Sequence, residues 1–439
     1  MVDFLTKLNL FRGQLKGVLS FDSDRMTGIS QDFGYYTSYA GQGQKSGAYI
    51  FRPNETKQEL KLLTSEEFSS RTSSQIYQSR LVSEIQTRVS PWVKSVTRIK
   101  KGAPYIEFEY TVGPIPIEDG IGKEVVVRYS SKEMYNDGVF YSDSNGREFV
   151  KRRLSHRPTW DLIEYQPVAG NFFPVNAAIY AQDIHSYMTV LTDRSQGGTS
   201  LKNGTLDLMV HRRTVADDSR GVGEAMNETD GGMTPYPPFG KNERQGEGLV
   251  VTGTHRILAG RGTNGAAMAR SQMDQAFSSV QLFFAPKNSQ ILRSGSFSMI
   301  QNDLPPNVML ITFMKLPKSM NEVEANLSSR YLVRLGHQYS KGEGPLGKAV
   351  KIDMKILFEK HHIKSIVEVI EEKTLSGNQS RESWENKRFN WQTSSQVQPS
   401  SSTACKPDGT TFLLLPMKIC TFEVKLLALK TNVSTMGRL

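Results

Sequence analysis

Cysteine is nearly absent: only Cys405 and Cys420 occur in 439 residues. A chain of this length can bury a core without a disulfide scaffold, so the two thiols, fifteen positions apart in the sequence, could pair or stay free. Histidine is scarce as well, with seven copies scattered apart from His361-His362. Adjacent strand residues point to opposite faces, which argues against a shared ligand role for that pair. No H-E-x-x-H, H-x-D or C-x-x-C string is present, so the compact signatures of a zinc site are missing. No G-x-S-x-G elbow marks a serine nucleophile either. No run approaches the roughly 18 unbroken apolar residues of a membrane-spanning helix. The apolar start, Met1 to Lys16, is interrupted by Lys7 and Arg12 and does not read as a signal peptide.

Acidic residues fall short of basic ones, 44 against 54, leaving a formal charge of +10. Phosphate binding needs clustered lysine and arginine. Here the clusters are short, such as Arg98-Ile99-Lys100-Lys101 and Lys151-Arg152-Arg153. They read as solvated strand edges that discourage aggregation, so no nucleic-acid partner is expected.

What the chain does carry is period-two alternation. In Ile106-Glu107-Phe108-Glu109-Tyr110 apolar and charged residues alternate, and Leu206-Asp207-Leu208-Met209-Val210 repeats the pattern; both predict half-buried antiparallel strands. Denser runs, Glu124 to Arg128, Val280 to Phe284 and Val308 to Phe313, predict strands buried between two layers. Turn signals separate them, among them Asn136-Asp137-Gly138, Ser144-Asn145-Gly146 and Lys202-Asn203-Gly204. Many short strands with such punctuation predict an all-β protein built of sandwiches. One segment, Ala266 to Phe277, reads as a helix, and Ser319 to Ser329 as a weaker one. Gln392 to Pro407, rich in Ser, Thr and Gln, reads as a loop. A second series of strands follows Pro305: Tyr331 to Tyr339, Ile352 to Phe358, Ser365 to Ile370 and Leu413 to Leu429. The domains are therefore drawn as 1–305 and 306–439.

Gly260-Arg-Gly262-Thr-Asn-Gly265 matches the G-x-G-x-x-G string that cradles pyrophosphate at a helix N-terminus. No strand–helix alternation follows and no acidic residue ends a second strand, so it reads as a glycine-rich turn into a helix. Gly342 to Gly347 fits the same string, but Pro345 removes an amide donor, and it reads as a loop. Asn-x-Ser/Thr sequons stand at Asn54, Asn203, Asn227, Asn326, Asn378 and Asn432. They are usable only in the secretory pathway, which conflicts with the lack of a signal peptide unless sequence upstream is missing.

A longer pattern carries more. Ser46-Gly-Ala-Tyr49-Ile-Phe-Arg52-Pro-Asn54 is followed in order by Val112 to Pro116, Gly122-Lys-Glu124 and Phe140-Tyr-Ser-Asp-Ser-Asn-Gly-Arg-Glu148. Then come Arg157-Pro-Thr-Trp160, Pro167 to Asn176, Val190-Leu-Thr-Asp-Arg-Ser-Gln-Gly-Gly198, Leu208 to Arg213 and Asp217-Asp-Ser-Arg-Gly221. This collinear series resembles the class II α-mannosidases of glycoside hydrolase family 38, in particular their lysosomal branch. Residues 46–221 carry the resemblance; the last third matches more loosely, through Asp303 to Asn307 and Leu415-Pro-Met417, and the first 25 residues poorly.

The resemblance implies a large β-supersandwich of galactose-mutarotase type, then a smaller immunoglobulin-like sandwich. In that family an α/β catalytic barrel and a three-helix bundle come first. These enzymes are retaining exo-α-mannosidases that trim N-glycans in lysosome or vacuole, using a nucleophilic Asp, an acid/base carboxylate and a zinc ion held by two His and two Asp. The corresponding H-x-D and H-H-D strings are absent, so nucleophile and zinc cannot be carried over, and no cofactor is expected on this chain alone. The missing barrel and bundle become its expected partners, with mannose-containing glycans as ligand. Two positions do carry over: Tyr49 and Arg220 match family residues that reach the substrate pocket. A tyrosine packs a sugar with its ring while its hydroxyl bonds, and an arginine offers a planar donor fork. Tyr49 could instead be a core residue, and Arg220 could simply pair with Asp217 or Asp218. Asp193, Arg194 and Gln196 are further substrate-binding candidates, whereas Phe172 and Phe173 read as packing. The alternative to a bracing role is a stand-alone, non-catalytic carbohydrate-binding module. An H-x-D-bearing barrel encoded in frame upstream would discriminate the two.

Overall fold

A computed structural model describes residues 8–11, 14–19, 26–63, 73–231, 246–263, 265–277, 282–284, 298, 300, 302–317, 328–358, 365–387 and 405–428. The chain forms two compact units, 1–280 and 281–439.

In the first unit the described strands build two large antiparallel sheets. The six-stranded sheet runs Phe173–Val175, Gln196–Thr199, Thr205–Arg213, Lys123–Ser131, Ile29–Thr37 and Lys61–Leu62. The nine-stranded sheet runs Phe149–Arg153, Val139–Asp143, Ala178–Gln182, Ser186–Thr192, Val251–Arg261, Ile106–Val112, Val93–Lys100, Val82–Ser90 and Ser73–Gln78. Alternation decides which face is buried. Phe33, Val125, Val127, Tyr129, Leu206 and Leu208 from the first sheet share one core with Phe108, Tyr110, Val190 and Ile257 from the second. That is a sandwich, and the expected all-β fold holds.

The other face of the six-stranded sheet carries charge. On Lys123–Ser131, Glu124 stands directly opposite Arg212, and Arg128 opposite Asp207. Arg128 donates through Nε and Nη2 to the two Asp207 carboxylate oxygens, both at 2.7 Å, the bidentate geometry arginine favours. A small aromatic cluster covers the rest of this face: Phe172 lies 5.1 Å from Phe51 and 6.3 Å from Tyr36, ring centre to ring centre. Phe173 packs on Phe140 at 5.8 Å. Both phenylalanines are packing residues, as expected.

The helix, Gly265–Phe277, lies on the nine-stranded sheet, where Ala269 and Met273 join Ala178, Leu191 and Leu258. The Gly260–Gly265 string is a structural joint. Gly260 sits in the strand, where a Cβ would come within 2.8 Å of the Tyr187 hydroxyl, and Gly262 turns the chain with φ +79°.

The second unit pairs a four-stranded sheet, Val308–Lys315, Ser328–His337, Ile419–Ala428 and Ser365–Lys373, with a two-stranded one, Val350–Asp353 and Thr411–Leu414. Val333, Leu335, Phe422 and Val424 share a core with Ile352, Phe412 and Leu414. Ile300 and Leu304 pack against this core. Cys405 and Cys420 are joined in a disulfide. A loop of about 15 residues closed in the unfolded chain is worth about 3 kcal/mol. Replacing both cysteines by alanine is expected to lower the unfolding free energy of this unit by that amount in a urea titration.

Three sequence expectations need correction. Val308 to Phe313 is a strand but is not buried between two layers: it forms the edge of its sheet, and only Val308 is buried while Ile311 is 38% exposed. Ile352 to Phe358 is not one strand: after Asp353 the chain turns into the short helix Met354–Phe358. Its buried residues, Met354, Leu357 and Phe358, recur at three- and four-residue spacing, a helical period hidden in an apolar run. Val280 to Phe284 is not a buried strand at its described end either. Leu282, Phe283 and Phe284 have no regular structure and are 78%, 88% and 92% exposed. Of the second helix candidate, Ser328 and Ser329 open a strand and the remainder lies outside the described residues, as do His361-His362 and most of Gln392 to Pro407.

Candidate functional site

Tyr49 and Arg220 lie 171 positions apart, and one carboxylate joins them. Asp218 Oδ2 accepts the backbone N–H of Tyr49 at 2.6 Å and of Ile50 at 2.9 Å, while its Oδ1 accepts the N–H of Arg220 at 3.0 Å. Gln44 fastens the same two segments again. Its Nε2 donates to the Asp218 carbonyl at 2.9 Å, and its Oε1 accepts from Arg220 Nε at 2.7 Å. Glycine makes the approach possible. A Cβ on Gly47 would stand 2.7 Å from the Asp218 nitrogen, and one on Gly221 would stand 2.9 Å from the Tyr49 ring. Asp218 itself is buried. Burial pushes its carboxyl pKa up, but the amides of Tyr49, Ile50 and Arg220 and the charge of Arg212 outweigh that, so it sits below the ordinary aspartate value. The carboxylate therefore stays ionised in mild acid and keeps its amide partners.

A second anchor lies beneath the loop. Glu124 is fully buried; Ser38 and Ser46 donate to its Oε1 at 2.9 and 2.5 Å, and Arg212 Nε donates to its Oε2. Arg212 also reaches the Ile50 carbonyl at 2.9 Å. The Ser46 hydroxyl accepts the Arg52 N–H at 3.0 Å. The Ser46–Arg52 loop is thus tied to the sheet by a buried ion pair and to the Asp217–Gly221 loop by Asp218.

On this frame the two side chains face solvent: Tyr49 is 61% exposed, and Arg220 is exposed as well. Tyr49 is not a core residue. Nor does Arg220 pair with Asp217 or Asp218 among the described residues, since its guanidinium Nε is bonded to Gln44. The remaining guanidinium N–H groups and the tyrosine hydroxyl suit the hydroxyls of a sugar.

The other candidates sit elsewhere in the bonding pattern. Asp193 and Arg194 are paired at 3.0 Å through both guanidinium contacts, and both grip the strand Val251–Arg261: Arg194 Nη2 donates to the Thr252 carbonyl at 2.6 Å and Asp193 Oδ2 accepts the Thr254 N–H at 3.0 Å. Gln196 turns inward. Its Nε2 donates to the Tyr110 hydroxyl at 2.9 Å, and its Oε1 lies 2.8 Å from His255 Nε2. His255 Nδ1 lies 2.9 Å from the Tyr129 hydroxyl. Because Gln196 Oε1 only accepts, His255 carries its proton on Nε2 and accepts from Tyr129.

Burial lowers the His255 pKa to about 3 from 6.5. The unfolded chain thus binds the extra proton between those values, so stability falls as pH drops below about 6.5 and its loss is complete near 3. At pH 5 the loss is about 2 kcal/mol relative to pH 7.5. Denaturant unfolding at both pH values is expected to show it, and His255→Gln to remove that part of the difference.

A zinc ion is implied by the family resemblance, but the described residues do not fit one. Among them no group of three or more His, Cys, Asp or Glu side chains could hold a metal ion. Their buried or part-buried histidines are engaged otherwise: His255 as above, His211 Nε2 with the Leu249 carbonyl at 3.1 Å, and His337 Nε2 with the Lys348 carbonyl at 2.8 Å. Nor is any described helix long and apolar enough to cross a membrane.

Residues that sequence reading missed are the fasteners: Gln44, Asp218, Glu124 and Arg212. Glu124 and Arg212 fell within the family-like series without a role, and the Asp217-Asp218 pair beside Arg220 pointed to the wrong partner, the guanidinium rather than the backbone.

Residues 9–220 match the model of the glycosyl hydrolases family 38 C-terminal domain. Lysosomal alpha-mannosidase of Felis catus is 36% identical over 420 residues, covering 93% of this chain and 38% of the relative. Alpha-mannosidase of Canavalia ensiformis is 32% identical over 432 residues, covering 96% of this chain and 41% of the relative. The chain therefore spans about two fifths of the length of the curated relatives it matches. The crystal structure of an alpha-mannosidase from Enterococcus faecalis superimposes with a TM-score of 0.54 at 11% identity, over 95% of this chain and 41% of that one, a likeness of fold alone. The chain belongs to glycoside hydrolase family 38 and corresponds to the C-terminal portion of that family's enzymes.

Proposed function

We propose that this chain is the β-domain portion of a lysosomal-type α-mannosidase, an enzyme that hydrolyses terminal α-mannose from N-glycans in lysosome or vacuole. Its sandwiches brace the catalytic barrel and lend Tyr49 and Arg220 to the wall of the sugar pocket, with Asp193 and Arg194 as further contacts on the glycan side. Gln196 acts through Tyr110 and His255 by stiffening the turn that carries those two. The nucleophile, the acid/base carboxylate and the zinc ligands belong to polypeptide that this chain does not contain, so the chain alone does not cleave mannosides. The observation that carries the reading is the Asp218 carboxylate, which fixes the backbones of both exposed residues at once. Passage through the secretory pathway is supported by the disulfide and by exposed sequons at Asn54, Asn203 and Asn378. Domain limits of 1–305 and 306–439 are part of the same proposal, with the qualification that Ile300 and Leu304 pack with the second unit.

Co-expression tests it. The chain alone, supplied with zinc, is expected to release no p-nitrophenol from p-nitrophenyl α-D-mannopyranoside. Co-expressed with the N-terminal segment that precedes the matched region in the cat enzyme, it is expected to restore zinc-dependent hydrolysis. Zinc-dependent release by the 439-residue chain alone would overturn the proposal.

A further inference from the structure

An open cleft of about 480 Å³ lies in the first unit between a hairpin tip, the segment after Val175, the turn at Ser195 and the end of the helix; Ser144, Asn145, Asn176, Ser195, Met273 and Asp274 contribute to its lining. Its size falls within the roughly 300–1,000 Å³ of small-molecule sites. Two of its walls are clamped together by Asp143, which is fully buried. Asp143 Oδ1 accepts the amides of Asn176, Ala177 and Ala178 at 2.9, 2.8 and 2.9 Å, and its Oδ2 accepts the Gly146 amide at 2.7 Å. The cleft is therefore held in shape without a ligand, which reduces the ordering cost of binding.

The unexplained group here is Asp274. It lines the cleft half-buried, and among the described residues no donor bonds to its carboxylate. With no protein donor, the hydrogen bonds of this half-buried carboxylate fall to solvent or to a ligand in the cleft. Burial raises its pKa, and the charges of Arg147 and Arg270 pull the other way. Those two guanidiniums together outweigh the single carboxylate, so a cation gains little; neither of them lines the cleft, and the Asp274 carboxylate that does line it repels an anion. What remains is a neutral ligand rich in hydroxyl donors. The lining fits one: Ser195 Oγ donates to Asn176 Oδ1 at 3.2 Å, leaving the Asn176 amide nitrogen to donate, and Met273 offers an apolar contact for ring C–H groups.

We propose that this cleft is a second carbohydrate site, which takes a neutral pyranose by accepting a vicinal pair of its hydroxyls on Asp274. It stands on the cleft alone and does not depend on Tyr49 or Arg220. The test is a calorimetric titration of the 439-residue chain with methyl α-D-mannopyranoside and methyl α-D-glucopyranoside. At least one is expected to bind with a Kd of about 1–10 mM, as suits a single sugar ring. Asp274→Asn is expected to weaken binding by about tenfold or more, and Ser144→Trp, at the exposed hairpin tip, to abolish it by filling the space. Thermal midpoints matching the parent chain show that both variants fold. The proposal would be overturned by no heat from either sugar at about ten times the expected Kd, by binding unchanged in both variants, or by displacement of the sugar by inorganic phosphate. Binding lost in Arg220→Ala but kept in Asp274→Asn would also reject the cleft, while supporting the pocket-wall reading of Arg220.

Discussion

Replacing Glu124 with alanine is expected to destabilise the first unit by about 3–5 kcal/mol, the range for removing one partner of a buried ion pair. The size follows from what is left behind. Arg212 would keep its charge on a largely buried face, and Ser38 and Ser46 would lose their acceptor. Glu124→Gln preserves shape and one oxygen and is expected to cost less. An exposed pair serves as control: Glu59 lies 2.6 Å from Lys202 with both side chains more than half exposed. Surface pairs of that kind contribute roughly 0–1 kcal/mol, so Glu59→Ala is expected to change little. Urea unfolding followed by tryptophan fluorescence reads both; equal effects for Glu59 and Glu124 would mean the buried pair does not anchor the loop.

The second large effect concerns Asp218. Asparagine there offers one acceptor oxygen in place of two and turns an N–H₂ group toward an amide N–H. The Tyr49, Ile50 and Arg220 amides cannot all be satisfied, and the two loops are expected to part. A misplacement of about 1 Å in a binding group can cost roughly 100-fold in rate. In the co-expressed enzyme Asp218→Asn is therefore expected to lower kcat/KM for p-nitrophenyl α-D-mannopyranoside by about that factor, more than Tyr49→Phe alone. Gly47→Ala approaches the same contact from the other side. Its added Cβ meets the Asp218 backbone nitrogen, so it is expected to mimic Asp218→Asn while leaving every polar group in place.

How much of this was legible beforehand differs by level. Strands such as Ile106–Val112 and Thr205–Arg213 show alternation, and alternation needs only neighbours in sequence. Met354–Phe358 misled because five residues, four of them apolar, fit both strand and helix periods, and only the buried set of Met354, Leu357 and Phe358 separates them. Tyr49 and Arg220 were singled out through resemblance to a family, not through any local pattern. Their fasteners were not, because Asp218 reaches Tyr49 across 169 positions and Gln44 reaches Arg220 across 176. Gln196 was read with its loop neighbours Asp193 and Arg194, yet it pairs with Val175 at the start of a strand and turns inward. One residue decides which face a strand side chain takes, and no signal in that turn fixed the count.

The most direct measurement is kcat/KM for p-nitrophenyl α-D-mannopyranoside in the co-expressed enzyme carrying Arg220→Ala, alongside its thermal midpoint. Arg220 is exposed, and its side chain makes one described bond, to Gln44, so folding should be nearly untouched. If Arg220 forms part of the pocket wall, kcat/KM falls by roughly ten- to 100-fold with the midpoint unchanged, as for loss of a charged hydrogen bond to substrate. An unchanged kcat/KM would contradict it.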